Sequence, residues 1–353
     1  MQLYILDQDY NKVNEVDEFE SLIWTERYSA YGDFELHMNP GSNVLGDLKN
    51  DYYLKMTDSQ TLMIIESSEI SQSKGTVSYK VTGRSYESVL ERRVVLVDFN
   101  NPPSAWEVIW ASVYLMITQE CPFERRRIPN LVADKIKPPG MEDRSGAEYE
   151  FKGKTLYELV KTISDDLGIG FRIDTSDPNR NQFITYLGTD RSWSGNAVPV
   201  IFSNDLGNLS SMNYVSSLSN YVNYLFMDLY PSKSDGPNYS RYLESSEPGG
   251  IRRRESYLDI SSLTKWGDAM DSYVQKQAQL AAYQTLMSKQ PLFMFDASID
   301  STKGPFYGTD YFLGDIVEIE STYPGVSKKY KVVEFIWSYS PTGVSMYPTF
   351  KAV

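Results

Sequence analysis

Between Trp24 and Met38 the chain reads WTERYSAYGDFELHM, and Phe34, Leu36 and Met38 recur there with a period of two. That period puts the apolar side chains on one face of a sheet and the polar ones on the other. An aromatic strand end precedes it, and Tyr31-Gly32-Asp33 reads as the tight bend between them. The stretch therefore predicts a hairpin of the kind common in β domains.

The alternation continues beyond the hairpin. Tyr52–Met56, Leu62–Ile70 and Val77–Gly83 read as strands, separated by polar turns such as Thr57-Asp58-Ser59 and Ser73-Lys74-Gly75. Residues 1–96 are read as a first β domain, a sandwich or small barrel. Past Asn100-Asn101-Pro102-Pro103 the period changes to that of a helix. Ser104 with Glu107 forms a capping-box signature, and Trp106, Ile109, Trp110, Val113 and Ile117 follow at three- and four-residue spacing until Pro122. A second helix opens at Thr155 with Glu158, turns Leu156, Leu159, Val160, Ile163 and Leu167 inward, and stops at Gly168. With strands at Gly170–Asp174 and Phe183–Leu187, residues 97–202 read as a separate α+β domain.

The β pattern returns from Leu209 to Leu229, where Val222, Tyr224 and Phe226 alternate with Asn223, Leu225 and Met227 as in a well-buried strand. A polar stretch, Pro231 to Gly250, interrupts it. A long helix then spans Ser262–Lys289, with Trp266, Met270, Tyr273, Gln277, Leu280 and Gln284 on or near one face, and Pro291 ends it. Strands resume at Leu292–Ile299, Asp315–Glu320, Tyr330–Ser338 and Val344–Lys351. The set Gly32–Met38, Asp51–Met56, Thr61–Ile70, Thr76–Gly83 matches Leu292–Ile299, Asp315–Glu320, Lys329–Ser338, Val344–Val353 in order and spacing. This fits two copies of one β domain, the second being 203–230 joined to 291–353 around a helical insertion at 231–290. It fits equally two unrelated β regions of similar spacing. The fold class is accordingly a β-rich α+β, multidomain chain. A length of 353 residues agrees, since about two to four domains are expected at that size.

Composition narrows the function. Net charge is -13, which argues against a protein that clamps nucleic-acid phosphates with excess Lys and Arg. Aromatic residues at 14%, including 27 tyrosines, exclude a disordered chain and favour extensive contact surfaces. The single histidine, His37, and single cysteine, Cys121, leave no material for a His-dependent triad, a multi-histidine metal site or an internal disulfide. Cys121 reads as a small buried hydrophobe. No Walker-type phosphate loop occurs, so no cofactor is expected. Paired carboxylates remain: Asp165-Asp166, Glu142-Asp143 and Glu18/Glu20 are the visible clusters, each read as a solvated helix end or loop. Two basic triplets, Arg125–Arg127 and Arg252–Arg254, read either as solvated loops or as ion-pair contacts with an acidic neighbour. The N-terminus has no basic lead or apolar run of signal-peptide length, and no stretch reaches membrane-spanning length. The expectation is a soluble protein that folds in a reducing cytoplasm.

The tryptophan, the charged and aromatic run, and the Gly-Asp-Phe-Glu-Leu that follows near residue thirty resemble the start of the siphophage tail-hub family, the hub-like proteins at the tip of long-tailed phage tails. The matching residues are Trp24, Arg27, Tyr28, Gly32, Phe34 and Leu36, as structural or interface positions. The resemblance implies a structural virion protein, made in the host bacterial cytoplasm, that as a homotrimer adapts a hexameric distal tail protein and the tail tube to a three-fold tip. Tape-measure and receptor-binding proteins would be further partners, and DNA would only pass through. The first and third domains would build the ring, with the second and fourth decorating it. Many members continue into a receptor-binding or wall-degrading region; this chain ends at Val353, so any tip enzyme is expected on another polypeptide. A carbohydrate-binding adhesion protein and, less favoured, a carboxylate-pair glycosidase are the alternatives.

Overall fold

The computed structural model describes residues 1–353 except 74–75, 98–103, 144–150, 228–238, 261–271, 301–302 and 321–328. In chain order the strands are β1 (Leu3–Leu6), β2 (Lys12–Glu15), β3 (Ser21–Arg27), β4 (Asp33–Met38), β5 (Tyr53–Met56), β6 (Leu62–Ser73) and β7 (Thr76–Ser85). Then come α1 (Ala105–Ile117), β8 (Leu131–Val132), α2 (Leu156–Leu167), β9 (Gly170–Asp174) and β10 (Asn181–Tyr186). The remainder is β11 (Ile201–Ser203), β12 (Leu209–Ser217), β13 (Tyr224–Met227), β14 (Tyr239–Arg241), β15 (Glu255–Leu258), α3 (Ser272–Ser288), β16 (Leu292–Ile299), β17 (Ile316–Glu320), β18 (Lys329–Ser340) and β19 (Gly343–Ala352).

One 13-stranded sheet organises the molecule, in the order β12-β16-β19-β18-β3-β4-β7-β6-β5-β1-β2, with β17 on β18 and β11 on β17. Alternation builds it: in β4, Phe34, Leu36 and Met38 are buried while Asp33, Glu35 and His37 are not. The pairings β3–β4, β4–β7, β7–β6 and β6–β5 have counterparts in β12–β16, β16–β19, β19–β18 and β18–β17. Each series carries a bulge in its long strand, between Ile65 and Ser67 in β6 and between Val332 and Glu334 in β18. The main core lies along this sheet and includes Leu22, Trp24, Phe34, Tyr311, Phe335 and Phe350.

A second core gathers α1, α2, β9 and β10 over the face of β6 that carries Leu62 and Ile64. Both helix starts are read correctly. The Ser104 side chain accepts from the Glu107 N–H, and Thr155 with Glu158 forms the full reciprocal box. α2 ends on Gly168 at φ 67, the left-handed cap that glycine adopts without strain.

Two expectations change. Tyr224–Met227, assigned from its alternation to the second β region, pairs instead with β14 and β15 in a three-stranded sheet. It packs with α3 around a small core of Val222, Leu225, Met227, Ala278, Ala282 and Leu286. A four-residue alternation cannot tell which sheet receives the strand. Among the described side chains of α3 the buried ones are Ala278, Ala282 and Leu286, while Gln284, from the expected face, is only half-buried; the side chains of Tyr273, Gln277 and Leu280 lie outside the described residues. The small side chains of Ala278 and Ala282 let β13 approach the helix closely. Trp266 and Met270 lie outside the described residues.

Leu229, read as one end of the insertion, also lies outside them. The ends that meet are Ser217 and Leu292, opposite each other in the β12–β16 pair. Replacing residues 218–291 by a short hairpin turn therefore keeps the large sheet foldable. The expected outcome is soluble protein with an undiminished far-ultraviolet strand signal; aggregation on expression contradicts it.

Candidate functional site at the strand joint

β3 is filled on both edges. β4 pairs with it locally, whereas β18, over 300 residues away in sequence, pairs with its other side. The register sets Arg27 opposite Glu334, Glu26 opposite Phe335, Thr25 opposite Ile336 and Trp24 opposite Trp337. Trp24 is fully buried and Trp337 nearly so. Tyr307 stacks on Phe335 with centroids 3.9 Å apart, and Phe335 meets Trp337 edge-on at 4.6 Å. Aromatic pairs in these geometries add to the area they bury.

The family-type residues converge on this joint. The Arg27 guanidinium donates from Nε to Glu334 at 2.6 Å, and from Nη1 to Asp33 and to the Tyr31 carbonyl. It thus ties the β3–β4 corner to β18. Phe34 and Leu36 are buried beneath. Gly32 is required by close approach, not by φ: a Cβ there would lie 2.0 Å from the Thr25 carbonyl oxygen. Its N–H donates to the Ser85 hydroxyl, and Ser85 N–H donates back to its carbonyl, which locks the corner to the end of β7.

Tyr28 extends the joint to the α+β region. Its backbone N–H donates to Val333 O at 2.9 Å and its carbonyl accepts from Phe171 N–H at 3.1 Å. Its hydroxyl lies 3.2 Å from Gly168 O and 3.1 Å from Tyr186 O, so one proton serves two carbonyls. Burial pushes this phenol up to about 12. The ring is clasped by glycines, since a Cβ at Gly170 or Gly314 would come within 2.4 Å or 2.2 Å of it. Gly188 lies against the Gly314 backbone, where a Cβ would be 1.9 Å from the Gly314 carbonyl carbon. Lys331 caps the ring at 5.4 Å and donates to Gly168 O. Burial, then Lys351, depress its pKa. Gly170, Gly188, Gly314, Glu334 and Trp337 were missed from sequence because each acquires its role only through a partner more than a hundred residues away.

A cleft of about 280 Å3 opens beside the joint, lined by Glu26, Asp58, Glu87, Arg172, Asp174 and Tyr307 among others. Its carboxylates are occupied. Glu26 accepts from the Ser59 hydroxyl on one oxygen and from the Tyr307 hydroxyl, at 2.9 Å, on the other. Glu87 accepts from the Ile173 N–H at 2.7 Å, and burial pushes its pKa up. Among the described residues no three His, Cys, Asp or Glu side chains gather as a metal site. His37 pairs with Glu35 at 2.8 Å on the half-exposed face of β4. Cys121 is buried. Within the basic triplets, Arg127 donates to Cys121 O, Arg126 to Val94 O, and Arg253 binds Glu247 and Glu255 while lying over Tyr224. These arginines hold their own chain together.

Trp24→Ala is expected to cost about 3–5 kcal/mol in urea denaturation, as for a large aromatic removed from a core. A double-mutant cycle on Arg27 and Glu334, 30% and 23% exposed, is expected to give a coupling of about 0.5–1 kcal/mol that shrinks with salt. A coupling near zero at low salt removes the ion pair from the joint.

Comparison with known proteins accords with this arrangement. The family model described as "Siphovirus ReqiPepy6 Gp37-like protein" matches residues 2–350. A search of curated proteins found no match. Among solved structures, the fold is similar to the 43 kDa tail protein of prophage MuSo2 from Shewanella oneidensis (TM-score 0.61, 12% identity, covering 99% of this chain and 98% of that one). It is similar also to the tail protein from Neisseria meningitidis MC58 (0.59, 14%, 99% and 96%). A third is prophage tail protein gp18 from Listeria monocytogenes EGD-e (0.51, 10%, 99% and 94%). At such identities the structures establish a shared fold. With the family model spanning nearly every residue, the chain belongs to the Siphovirus ReqiPepy6 Gp37-like family of siphovirus tail proteins.

Proposed function

We propose that this virion-associated tail protein is the hub at the tail tip, which as a homotrimer joins the hexameric distal tail protein and tail tube to a three-fold tip. The observation that carries the reading is the β3–β18 joint, which links two strand series of identical pairing order. We take these as two copies of one β module, approximately residues 1–96 and 203–217 with 292–353. Three chains then present six equivalent modules, enough to match a six-fold partner in a closed ring. The α+β region and the insertion carrying α3 decorate that ring. The Tyr283 hydroxyl, which donates to Asp166 at 2.9 Å, ties one decoration to the other.

The tape-measure and receptor-binding proteins are the further partners in this reading, and DNA passes through the ring. A net charge of -13 supports transit over retention, because each phosphate neutralised by Lys or Arg would add affinity and slow passage. We assign the six family-type residues a structural role at the joint within each chain. No helix among the described residues is long and apolar enough to cross a membrane.

Light scattering on the chain, alone and mixed with the distal tail ring, tests the assembly. A mass of three chains, at least in the mixture, is expected. Monomers in both samples contradict the hub.

A further inference from the structure

The two strand series differ at their outer edges. β3 is paired on both edges, but β12, its counterpart, has among the described residues only β16. Correspondingly, β18 pairs with β17 through Lys329–Lys331 and with β3 through Glu334–Tyr339. Its counterpart β6 pairs with β5 through Leu62, Met63 and Ile64. The rest of β6 has β7 on one side and, among the described residues, nothing on the other. Among the described residues β12 and the outer half of β6 are thus both open edges, the two that a repeat of the β3–β18 joint would bring together.

Neither edge carries the usual protection. Exposed strand edges are normally blunted by lysine, proline or inward-pointing charge, because bare N–H and C=O groups recruit other strands. β12 contains no charged residue and no proline, and Ser67–Gln72 contains one charge, Glu69. Every side chain from Ser67 to Gln72 is exposed. Ile70 is 69% exposed, whereas Trp337, equally placed three residues past its bulge, is 3% exposed beneath the joint.

The register follows from the internal joint. Trp24 faces Phe34 as Tyr214 faces Phe295, and Phe34 and Phe295 face Gly83 and Phe350 at matching places in β7 and β19. Tyr214 therefore stands where Trp24 does, and Ile70 where Trp337 does. We propose that β12 of one copy adds antiparallel to the outer half of β6 of the next, with Tyr214 facing Ile70, Ser216 facing Ser68 and Met212 facing Gln72. The contact is head-to-tail and repeats within the assembly the operator already present within the chain. It deepens the hub reading, on which it rests for the second copy.

The test is disulfide trapping in the full-length chain, with Ile70→Cys and Tyr214→Cys combined; the native thiol, Cys121, is buried. Directly opposed residues satisfy disulfide geometry, whereas a partner one residue out of register points to the other face of the sheet. Mild oxidation of the assembled protein is expected to give covalent dimer and trimer, at least about ten-fold more than Ile70→Cys with Val215→Cys. Ile70→Lys is expected to shift the mass from trimer to monomer. A trimer that forms without the crosslink, or that survives Ile70→Lys unchanged, overturns the strand addition and leaves the hub reading standing. Crosslinked open chains without a closed trimer support the addition and contradict the ring. Monomers with no crosslink in any sample overturn both.

Discussion

A β-strand with an unpaired edge exposes a row of hydrogen-bonding groups, and the architecture of this protein follows from how one such edge is filled. β3 is formed by local alternation and paired locally with β4, but its other edge is completed by β18 from the far end of the chain. That pairing makes a single sheet of two strand series. It brings Trp24 against Trp337 and Arg27 against Glu334, and it sets Tyr28 where only glycines can stand beside it. The α+β region is attached through the same residue, since the Tyr28 backbone bridges Val333 and Phe171.

Much of this was legible in the sequence, for identifiable reasons. Local patterns survive folding, so the hairpin at Gly32, the caps at Ser104 and Thr155 and the left-handed stop at Gly168 could be read directly, whereas the similar order of the two strand sets left a repeat and two unrelated β regions equally open. What could not be read was which distant segments meet. Nothing near Gly170, Gly188 or Gly314 marks them as the walls of a tyrosine socket, because a glycine kept for close approach looks like one kept for a turn. Tyr224–Met227 has a buried-strand pattern that suits either sheet, and it went to the smaller one. Ala278 and Ala282 drew no notice in the sequence because they bury little area, yet close packing against β13 favours small residues. The six family-type residues were named from a short motif; that they cluster at a junction of three chain segments is a property of the fold.

The carboxylates beside the joint illustrate how composition alone misleads. An acidic chain with a polar cleft invites a search for paired catalytic acids. Glu26, however, spends both oxygens on hydroxyl donors, and Glu87 is buried on a backbone N–H. Those bonds close the seam between β3, the turn at Ser59 and β9. A buried carboxylate without such partners would be costly, so Glu26 and Glu87 act as cross-braces in the fold.

The central claim is that the β3–β18 joint is one instance of a contact the assembly repeats. Amide hydrogen exchange on the isolated chain and on the chain mixed with the distal tail ring proposed as its partner tests it most directly, because exchange reads edge hydrogen bonds residue by residue. The internal joint, at Thr25 and Ile336, should be protected in both states. The outer half of β6, Ser67–Gln72, and the open edge of β12 should exchange quickly in the isolated chain and slow together on assembly. Protection that rises elsewhere on the molecule while these two edges continue to exchange quickly would contradict the claim.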